Sequence, residues 1–419
     1  MITTQANCTD IVEPGLLPVD QALAKILSAL PSIEDNEIIN IEKTKARTLA
    51  EDIIASNNVP LHNNSAMDGY ALNARDIATE GVTSFTVIGS AFAGQPYTEA
   101  ISTGQCIRIM TGAIIPAGVD TVIMQEQVEI KNDCINIDHR HSAGQNIRLA
   151  GEDLPKGEMI LQSGKFITAA DIGLMASLGI AKVKVRRKLK IAIASTGNEL
   201  INIGDTPNIN SLYDSNRYSL CAALDRPDIE IINMGILQDS PEVLLASFKQ
   251  ASETADIIIS TGGVSVGDAD YTKTALKQSG QVDFWKIAIK PGRPLAFGRI
   301  NNSVFFGLPG NPVAVMVTFS QFVLPAIEAM QGIKDKAKTP TLQVQCSESI
   351  RKRSGRTEVI RGILKQQTDG SYTVKTTGKQ GSGILRSMSL ANAFIILEHD
   401  RNTVQTGELV TVQPFSGLF

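Results

Sequence analysis

The spacing of hydrophobic residues changes several times along the chain, and each change marks a different kind of element. In residues 19–30, leucine and isoleucine recur at intervals of three and four, which predicts an amphipathic helix that packs on a later part of the chain. Residues 168–178 repeat the helical pattern and end before Gly179, a residue type that favours a helix C-terminus.

Between these two helices the chain carries short β-prone runs separated by glycines. The runs at 84–88, 121–124 and 134–137 predict β-strands. Because helical segments bracket this β-rich block, we expect an inserted domain whose flanking segments pair to form one elongated unit.

Beyond the basic residues 186–188 the pattern alternates between strands and helices. Apolar runs at 190–194, 229–237 and 256–260 predict buried strands, and predicted helices lie between them at 218–224 and 241–251. The helix predicted at 241–251 has a favourable N-terminus, because a polar capping residue is followed by proline at the first helical position. Helices that alternate with fully apolar strands indicate a mostly parallel sheet.

After Gly332 a lysine-rich linker at 334–338 leads into residues 342–415, which alternate between apolar and polar and predict a small β-barrel or sandwich. We therefore predict an α/β multidomain fold with four units: a segmented helical and hinge domain at 1–37 and 148–186, an inserted β-rich domain at 38–147, a doubly wound α/β domain at 187–333, and a C-terminal small β-barrel at 334–419.

Chain length, net charge and cysteine pattern limit the classes of protein to which the chain can belong. The 419 residues are enough for about three domains. A net charge of -4 argues against a nucleic-acid-binding protein, which would show a basic excess. The five cysteines include no C-x-x-C pair, which excludes a disulfide framework and a structural zinc site and favours a reducing, cytoplasmic location.

Targeting segments are not predicted. The first ten residues lack the basic start and apolar core of a signal peptide. Residues 304–327 carry no charge, but three prolines interrupt them, so we expect a buried strand, a turn and a core helix rather than a membrane span.

Glycine-containing loops follow the predicted strands at 195–199, 261–270 and 307–312. In a doubly wound sheet, ligands bind beyond the C-terminal ends of the strands, where backbone N–H groups meet anions. Each loop alone is explained as well by a tight turn. No loop matches the Walker or Rossmann phosphate motifs, so a standard kinase or dehydrogenase is not predicted.

Charged residues collect in the same region. Four carboxylates lie just beyond strand ends and suit Mg2+: Glu199, Asp239, Asp268 and Asp270. The alternative is that Asp239 only caps a helix and Asp268 only shapes a turn. Lys290 and Arg293 flank a Pro-Gly pair that would aim both cations at an oxyanion, whereas Arg351–Arg353 is interpreted as a solvated face. The four histidines show no metal-ligand or catalytic pattern.

Several motifs together resemble one known family. Residues 64–71 are Asn-Ser-Ala-Met-Asp-Gly-Tyr-Ala, residues 108–113 are Arg-Ile-Met-Thr-Gly-Ala, and residues 151–153 are Gly-Glu-Asp. With the loops at 262–273 and 307–312, they resemble the molybdopterin molybdenumtransferase (MoeA) family, which also includes the C-terminal domain of gephyrin.

The resemblance implies an elongated homodimer that takes adenylylated molybdopterin and molybdate, with Mg2+, and releases molybdenum cofactor and AMP. It implies that the active site is shared between subunits, and it allows contact with the upstream adenylyltransferase, with no nucleic acid or membrane partner. Two alternatives remain open: an adenylyltransferase of molybdopterin, and a non-catalytic scaffold. Asn198 and Ala314 stand where many relatives have Asp and Ser.

By matching position, the resemblance assigns catalytic roles to Asp68, Thr111, Asp153, Glu199, Asp239 and Asp270. The predicted metal ligands are Glu199, Asp239, Asp268 and Asp270. The predicted ligand-binding residues are Thr196, Gly197, Gly262, Gly263, Ser265, Gly267, Asp268, Lys286, Lys290, Arg293, Pro309, Gly310, Asn311, Pro312, Arg356 and Ser382.

Overall fold

The computed structural model describes residues 15–262, 280–334 and 340–415. Helices and strands are numbered in chain order within these ranges.

The β-rich block forms one six-stranded sheet in the order β7-β4-β6-β5-β9-β8. Its strands are β4 (Gly69–Leu72), β5 (Val82–Ala91), β6 (Gln105–Ile109), β7 (Thr121–Met124), β8 (Glu129–Lys131) and β9 (Cys134–Asp138). The three runs predicted as strands lie in β5, β7 and β9. Phe85 and Ile135 are fully buried on one face and Ile107 on the other, so both faces of the sheet are covered.

Pairs of short strands connect this sheet to the rest of the chain. The antiparallel pairs are β1 (Asn36–Asn40) with β12 (Lys182–Arg186), β2 (Ile53–Ile54) with β11 (Met159–Leu161), and β3 (Asn64–Ser65) with β10 (Ile147–Arg148). The chain thus leaves along one strand of each pair and returns along the other, as expected for an insertion.

The helix α2 (Ala169–Ser177) packs in this connecting unit, and it begins as its sequence predicts. Thr168 and Asp171 form a reciprocal capping box at its N-terminus. Leu49, from the outgoing segment, is buried in the same hydrophobic cluster as Met175 and Val185.

One predicted domain limit and one helix assignment do not match these contacts. The limit between residues 37 and 38 falls inside β1, so the segmented unit extends to at least the end of β2 because the strand pairing holds both segments together. The helix α1 (Val19–Ser28) was assigned to that unit, but Ala22 and Ile26 are buried in the core of the α/β domain. The expectation that this helix packs on a later part of the chain is confirmed.

The α/β domain contains a six-stranded sheet in the order β16-β13-β17-β21-β20-β18. Its parallel strands are β13 (Leu189–Thr196), β16 (Ile229–Leu237), β17 (Ile257–Thr261) and β21 (Ser303–Leu308), and β18 (Gly280–Lys286) and β20 (Pro294–Ile300) run antiparallel at one edge. A separate short parallel pair joins β14 (Leu200–Ile201) to β15 (Leu212–Tyr213).

Helices cover both faces of this sheet. Ile191 and Ile193 face a cluster that also includes α1, α3 (Asn216–Ala223), α5 (Pro312–Thr318) and α6 (Leu324–Met330), whereas Ala192 and Ala194 face a cluster with α4 (Pro241–Ala251). The predicted doubly wound α/β arrangement is therefore confirmed.

The helical stretch Pro312–Met330 is apolar and long enough to cross a bilayer, yet 72% of its most apolar part is buried inside the protein. A π-helical turn, Phe319–Val323, joins α5 to α6. The burial is that of the core helix predicted from the sequence.

The C-terminal strands close into a five-stranded barrel. They are β22 (Leu342–Cys346), β23 (Thr357–Gln366), β24 (Tyr372–Thr376), β25 (Ala393–Leu397) and β26 (Leu409–Pro414), with α7 (Arg386–Leu390) between β24 and β25. Pairing of β25 with both β26 and β23 completes the closure. The short strand β19 (Ile289–Lys290), from the α/β segment, adds to β23 and ties the two domains together.

Replacing a core phenylalanine tests the two-faced packing. Phe305 is 0% exposed and meets the Phe248 ring edge-on, with centroids 5.4 Å apart. Because truncation leaves a cavity, Phe305→Ala should lower the free energy of unfolding by about 3–5 kcal/mol. Trp285, the single tryptophan, lies in β18 of the same sheet, so its fluorescence during urea denaturation reports this domain.

The control is Ile209→Ala, a truncation in the same domain at a side chain that is 100% exposed. It should change the free energy of unfolding by less than about 0.5 kcal/mol. Equal losses in the two variants would contradict the assignment of Phe305 to a tightly packed core.

Candidate active site

A cleft of about 1310 Å³ lies between the C-terminal ends of the parallel strands and the barrel. Three strand ends meet there at one level, because Ser195 pairs with Thr261 and Thr261 pairs with Leu308. The three glycine-containing loops therefore share one edge of the sheet, as predicted.

Most of the described ligand-binding candidates line this cleft. They are Thr196, Gly197, Glu199, Asp239, Gly262, Lys290, Arg293, Pro309, Gly310, Asn311, Pro312, Arg356 and Ser382. Lys286, at the end of β18, is not among the lining residues, so the prediction that it contacts the ligand is not supported by the geometry. Gly263, Ser265, Gly267, Asp268 and Asp270 lie outside the described residues.

Close backbone approach at the strand ends requires glycine. Gly262 has φ +86°, and a Cβ built there would lie 2.3 Å from the Thr196 carbonyl oxygen. Its N–H donates to the Leu308 carbonyl oxygen at 3.2 Å. No side chain fits between these strands, so the loops after β13, β17 and β21 stay in contact.

Two carboxylates lie together at one end of the cleft. Burial, followed by the nearby Glu199 carboxylate, raises the pKa of Asp239. The buried Oδ1 of Asp239 accepts no hydrogen bond from the described residues. The Asp239 N–H donates to Asn198 Oδ1 at 3.1 Å, so the asparagine orients this loop without adding a third negative charge.

The alternative role for Asp239, as a helix cap, is not what the geometry shows. The N-cap of α4 is Ser240 and Pro241 is the first helical residue. The half-buried Asp239 instead lines the cleft with its buried Oδ1 accepting no hydrogen bond from the described residues, an arrangement suited to a cation.

Cations lie on the side of the cleft that faces the barrel. Lys290 pairs with Glu358 of β23, with Nζ and Oε1 3.4 Å apart, as a result of the β19–β23 pairing. Arg293 follows the Pro-Gly turn and also lines the cleft, together with Arg356. The predicted pairing of these cations with an oxyanion is consistent with this placement.

The interpretation of Arg351–Arg353 as a solvated face is wrong for Lys352, whereas Arg351 and Arg353 are exposed. Arg351 lines the cleft. Lys352 is buried, and its Nζ donates to the carbonyl oxygens of Arg353, His399 and Arg401. Loop packing, which charge patterns do not reveal, buries this lysine.

Other residues that line the cleft were not predicted from the sequence, among them Asn216 and Arg361. Asn216, at the start of α3, donates from Nδ2 to the Gly310 carbonyl oxygen at 2.7 Å. Arg361 is buried in β23 and also lines the cleft. A lone arginine inside the apolar run 359–364 was the signal that could have revealed it.

The candidates in the N-terminal half lie elsewhere. Asp68 Oδ1 accepts hydrogen bonds from the Thr111 N–H at 2.8 Å and the Thr111 hydroxyl at 2.7 Å. These two bonds lower the pKa of Asp68. Asp68, Thr111 and Asp153 are exposed and are not among the residues that line the cleft of their own chain.

Within the described ranges, no group of three or more His, Cys, Asp or Glu side chains is placed to hold a metal ion. Glu199 and Asp239, which lie together, are two of the four predicted metal ligands. The other two, Asp268 and Asp270, fall in the range 263–279 that is not described.

The Asp68–Thr111 contact gives a direct titration test. Thr111→Val keeps the backbone donor but removes the hydroxyl donor, so the pKa of Asp68 should rise toward the ordinary aspartate value. Carboxyl ¹³C NMR over the acid range measures it, and Thr111→Ser, which keeps the hydroxyl, is the control.

The lowered pKa of Asp68 in the folded protein determines how its contribution to stability changes with pH. Asp68 contributes stability above its unfolded-state pKa and loses it as the pH falls through the folded-state pKa. The valine variant should lose this contribution at a higher pH than the wild type. Identical Asp68 titrations in the valine and wild-type proteins would contradict the role of the hydroxyl.

Family models match the chain in three consecutive stretches. They are described as MoeA N-terminal region (domain I and II), over residues 17–179, probable molybdopterin binding domain, over residues 192–329, and MoeA C-terminal region (domain IV), over residues 343–415.

Curated relatives cover nearly the same length. A molybdopterin molybdenumtransferase of Haemophilus influenzae is 43% identical over 404 residues, 96% of this chain and 100% of that protein. One from Nostoc sp. is 32% identical over 95% of this chain and 93% of its own. Gephyrin of Dictyostelium discoideum is 33% identical over 94% of this chain, which matches 62% of gephyrin.

The fold also matches a solved structure, the molybdopterin biosynthesis MoeA protein from Pyrococcus horikoshii. The TM-score is 0.83 at 30% identity, over 95% of this chain and 100% of that one. The chain therefore belongs to the MoeA family of molybdopterin molybdenumtransferases, enzymes of molybdenum cofactor biosynthesis.

Proposed function

We propose that the cleft binds adenylylated molybdopterin and molybdate and, with Mg2+, releases molybdenum cofactor and AMP. The observation that carries this proposal is the division of charge within one cleft, with the Glu199–Asp239 pair at the strand ends and the cations toward the barrel. A substrate with a pyrophosphate-like linkage and a separate oxyanion requires both kinds of surface.

The donor set at the acidic end fits Mg2+. Asp239 Oδ1 is buried and has no donor among the described residues, and Glu199 lies close enough to raise the pKa of Asp239. Carboxylates with phosphate oxygens and water are the usual Mg2+ ligands, and we propose that Asp268 and Asp270 complete the set. When bound, the ion neutralises the negative charge on the phosphate linkage.

The remaining lining residues bind and orient the substrates. The backbone at Gly197, Gly262 and Gly310 lets the phosphates approach the strand ends closely. Lys290, Arg293 and Arg356 hold molybdate near the pterin sulfurs. Ala314 lines the same cleft but brings no hydroxyl, so Ser382 is the hydroxyl donor that we propose for this oxyanion.

We also propose a homodimer in which each cleft is completed by Asp68, Thr111 and Asp153 of the partner subunit. These side chains are exposed and absent from the cleft of their own chain, as a residue that serves another subunit would be. The cytoplasm is the proposed location, and Cys106, Cys134, Cys221 and Cys346 are free thiols.

Removing either carboxylate charge at the acidic end tests the proposed site. Asp239→Asn and Glu199→Gln should each lower kcat for AMP release by at least about 100-fold, because the phosphate linkage loses its neutralising ion. The assay supplies purified protein with adenylylated molybdopterin, molybdate and Mg2+, and measures AMP and molybdenum cofactor.

Asp205→Asn is the matched control, since Asp205 is exposed and does not line the cleft. It should retain activity within about twofold. Wild-type activity in Asp239→Asn would reject the acidic site. If the wild-type protein instead consumed ATP with molybdopterin, adenylyl transfer would replace molybdate insertion as the function.

Mixing two inactive variants tests the shared site. In a dimer of Asp68→Asn with Asp239→Asn, one cleft combines the intact Asp239 of one subunit with the intact Asp68 of the other. Random exchange of subunits should therefore restore about one quarter of wild-type activity. If each site lies within one subunit, both clefts of the mixed dimer are damaged and no activity returns.

A further inference from the structure

Arg361 is a buried cation at the cleft that the proposed reaction does not yet use. It lies in β23, is 1% exposed, and is among the largest fully buried side chains in the described ranges. It nevertheless belongs to the lining of the cleft, on the barrel side.

All of the hydrogen-bond acceptors of Arg361 are neutral. Nε donates to the Ser387 hydroxyl at 3.0 Å and Nη2 donates to the Gly381 carbonyl oxygen at 3.1 Å. The backbone is tied to the same loop, because its N–H donates to Gln380 Oε1 at 3.0 Å and its carbonyl oxygen accepts from Gln380 Nε2 at 3.2 Å. Nη1 has no acceptor among the described residues.

Other arginines buried to a similar extent are paired with acids. Arg217, 5% exposed, forms an ion pair with Asp214 at 2.8 Å, and Arg47, 3% exposed, pairs with Glu37. No such carboxylate faces Arg361 in the described ranges, and burial alone lowers its pKa to about 10.

The acids that line the cleft do not compensate this charge, since burial is the only cause of the lowered pKa of Arg361 and Glu199 and Asp239 lie together at the strand ends. Asp214 is bound to Arg217, and Glu358 is paired with Lys290. An uncompensated buried charge destabilises a fold, so its retention is explained when an anion from outside supplies the counter-charge.

The loop that Arg361 holds is a wall of the cleft. Gln380, Gly381, Ser382 and Gly383 all line it. The Ser382 carbonyl oxygen accepts a hydrogen bond from the Val313 N–H at 3.0 Å, so the loop is fixed between β23 on one side and the start of α5 on the other. The position of Ser382 thus depends on Arg361.

We propose that Arg361 is a positioning residue for a tetrahedral dianion at the Ser382 end of the cleft. It holds the 380–383 loop in place and supplies the buried positive charge that the dianion compensates. This inference rests on the proposed function, in which that end of the cleft takes molybdate. A phosphate group of the pterin substrate is also a tetrahedral oxyanion, so the experiment separates the two sources.

The test uses isothermal titration calorimetry of the full-length protein with sodium molybdate and, separately, with inorganic phosphate. Arg361→Gln keeps polar donors but removes the charge, so the Kd for its oxyanion should rise by about tenfold or more. Arg361→Lys keeps the charge but lacks the planar guanidinium group with its several N–H donors, so the Kd should rise by only about threefold. The control is Arg401→Gln, which removes an equal charge from a barrel arginine that pairs with Glu408 outside the cleft.

Steady-state kinetics gives a readout that a purely structural role would not move. Arg361→Gln should raise KM for molybdate by about tenfold while KM for adenylylated molybdopterin stays within about twofold. The Kd for inorganic phosphate and the KM for the pterin substrate could rise instead. In that case Arg361 positions a phosphate group of the substrate rather than molybdate.

Three outcomes would overturn the inference: unchanged binding and KM in Arg361→Gln, equal losses in the Gln and Lys variants, or an equal loss in Arg401→Gln. If Arg361→Gln does not fold, the Lys variant decides, because retention within about threefold supports the charge role and loss of binding rejects it. If the wild-type protein binds molybdate but forms no cofactor, the proposed function is rejected. The Arg361 inference is then still tested by the binding measurements.

Discussion

The register of the three central strands is the constraint on which the site depends. Pairing of Ser195 with Thr261 and of Thr261 with Leu308 ends β13, β17 and β21 at the same level, and the absence of a side chain at Gly262 lets the loops beyond them touch. The neighbouring strand β16 is also parallel to β13, with Thr196 paired to Leu237, so the loops that carry Glu199 and Asp239 emerge side by side at the same edge.

The second wall of the cleft is formed where a short strand of the α/β segment pairs with the barrel. β19 leaves the α/β segment and pairs with β23 of the barrel, which sets Lys290 against Glu358 and places β23, with Arg361, along the cleft. The cations of the cleft therefore come from both domains, Lys290 and Arg293 from the α/β segment and Arg356 and Arg361 from the barrel. The barrel has a cluster of its own, but Val359, Met388 and Phe394 join the hydrophobic cluster of the α/β domain, so apolar packing as well as strand pairing fixes the two walls of the cleft.

Buried charge is handled differently within the fold and at the site. Away from the cleft, Arg187 is held by both oxygens of Asp256, and Arg226 by Asp228, so these charges are satisfied internally. At the cleft, Asp239 Oδ1 accepts no hydrogen bond and Arg361 meets no carboxylate within the described ranges. Groups that the fold leaves unsatisfied in this way are the ones that a ligand can satisfy.

The sequence by itself determined the order of the main helices and strands, the doubly wound α/β domain, the insertion of the β-rich block and the strand-end loops that line the cleft, because local periodicity and strand-end motifs are properties of neighbouring residues. Only the tertiary structure decided that α1 packs on the α/β core, that the segmented unit includes β2, and that Lys352 and Arg361 are buried. Each of these outcomes depends on contacts between segments far apart in the chain, where packing and desolvation, rather than local pattern, set the position of a side chain.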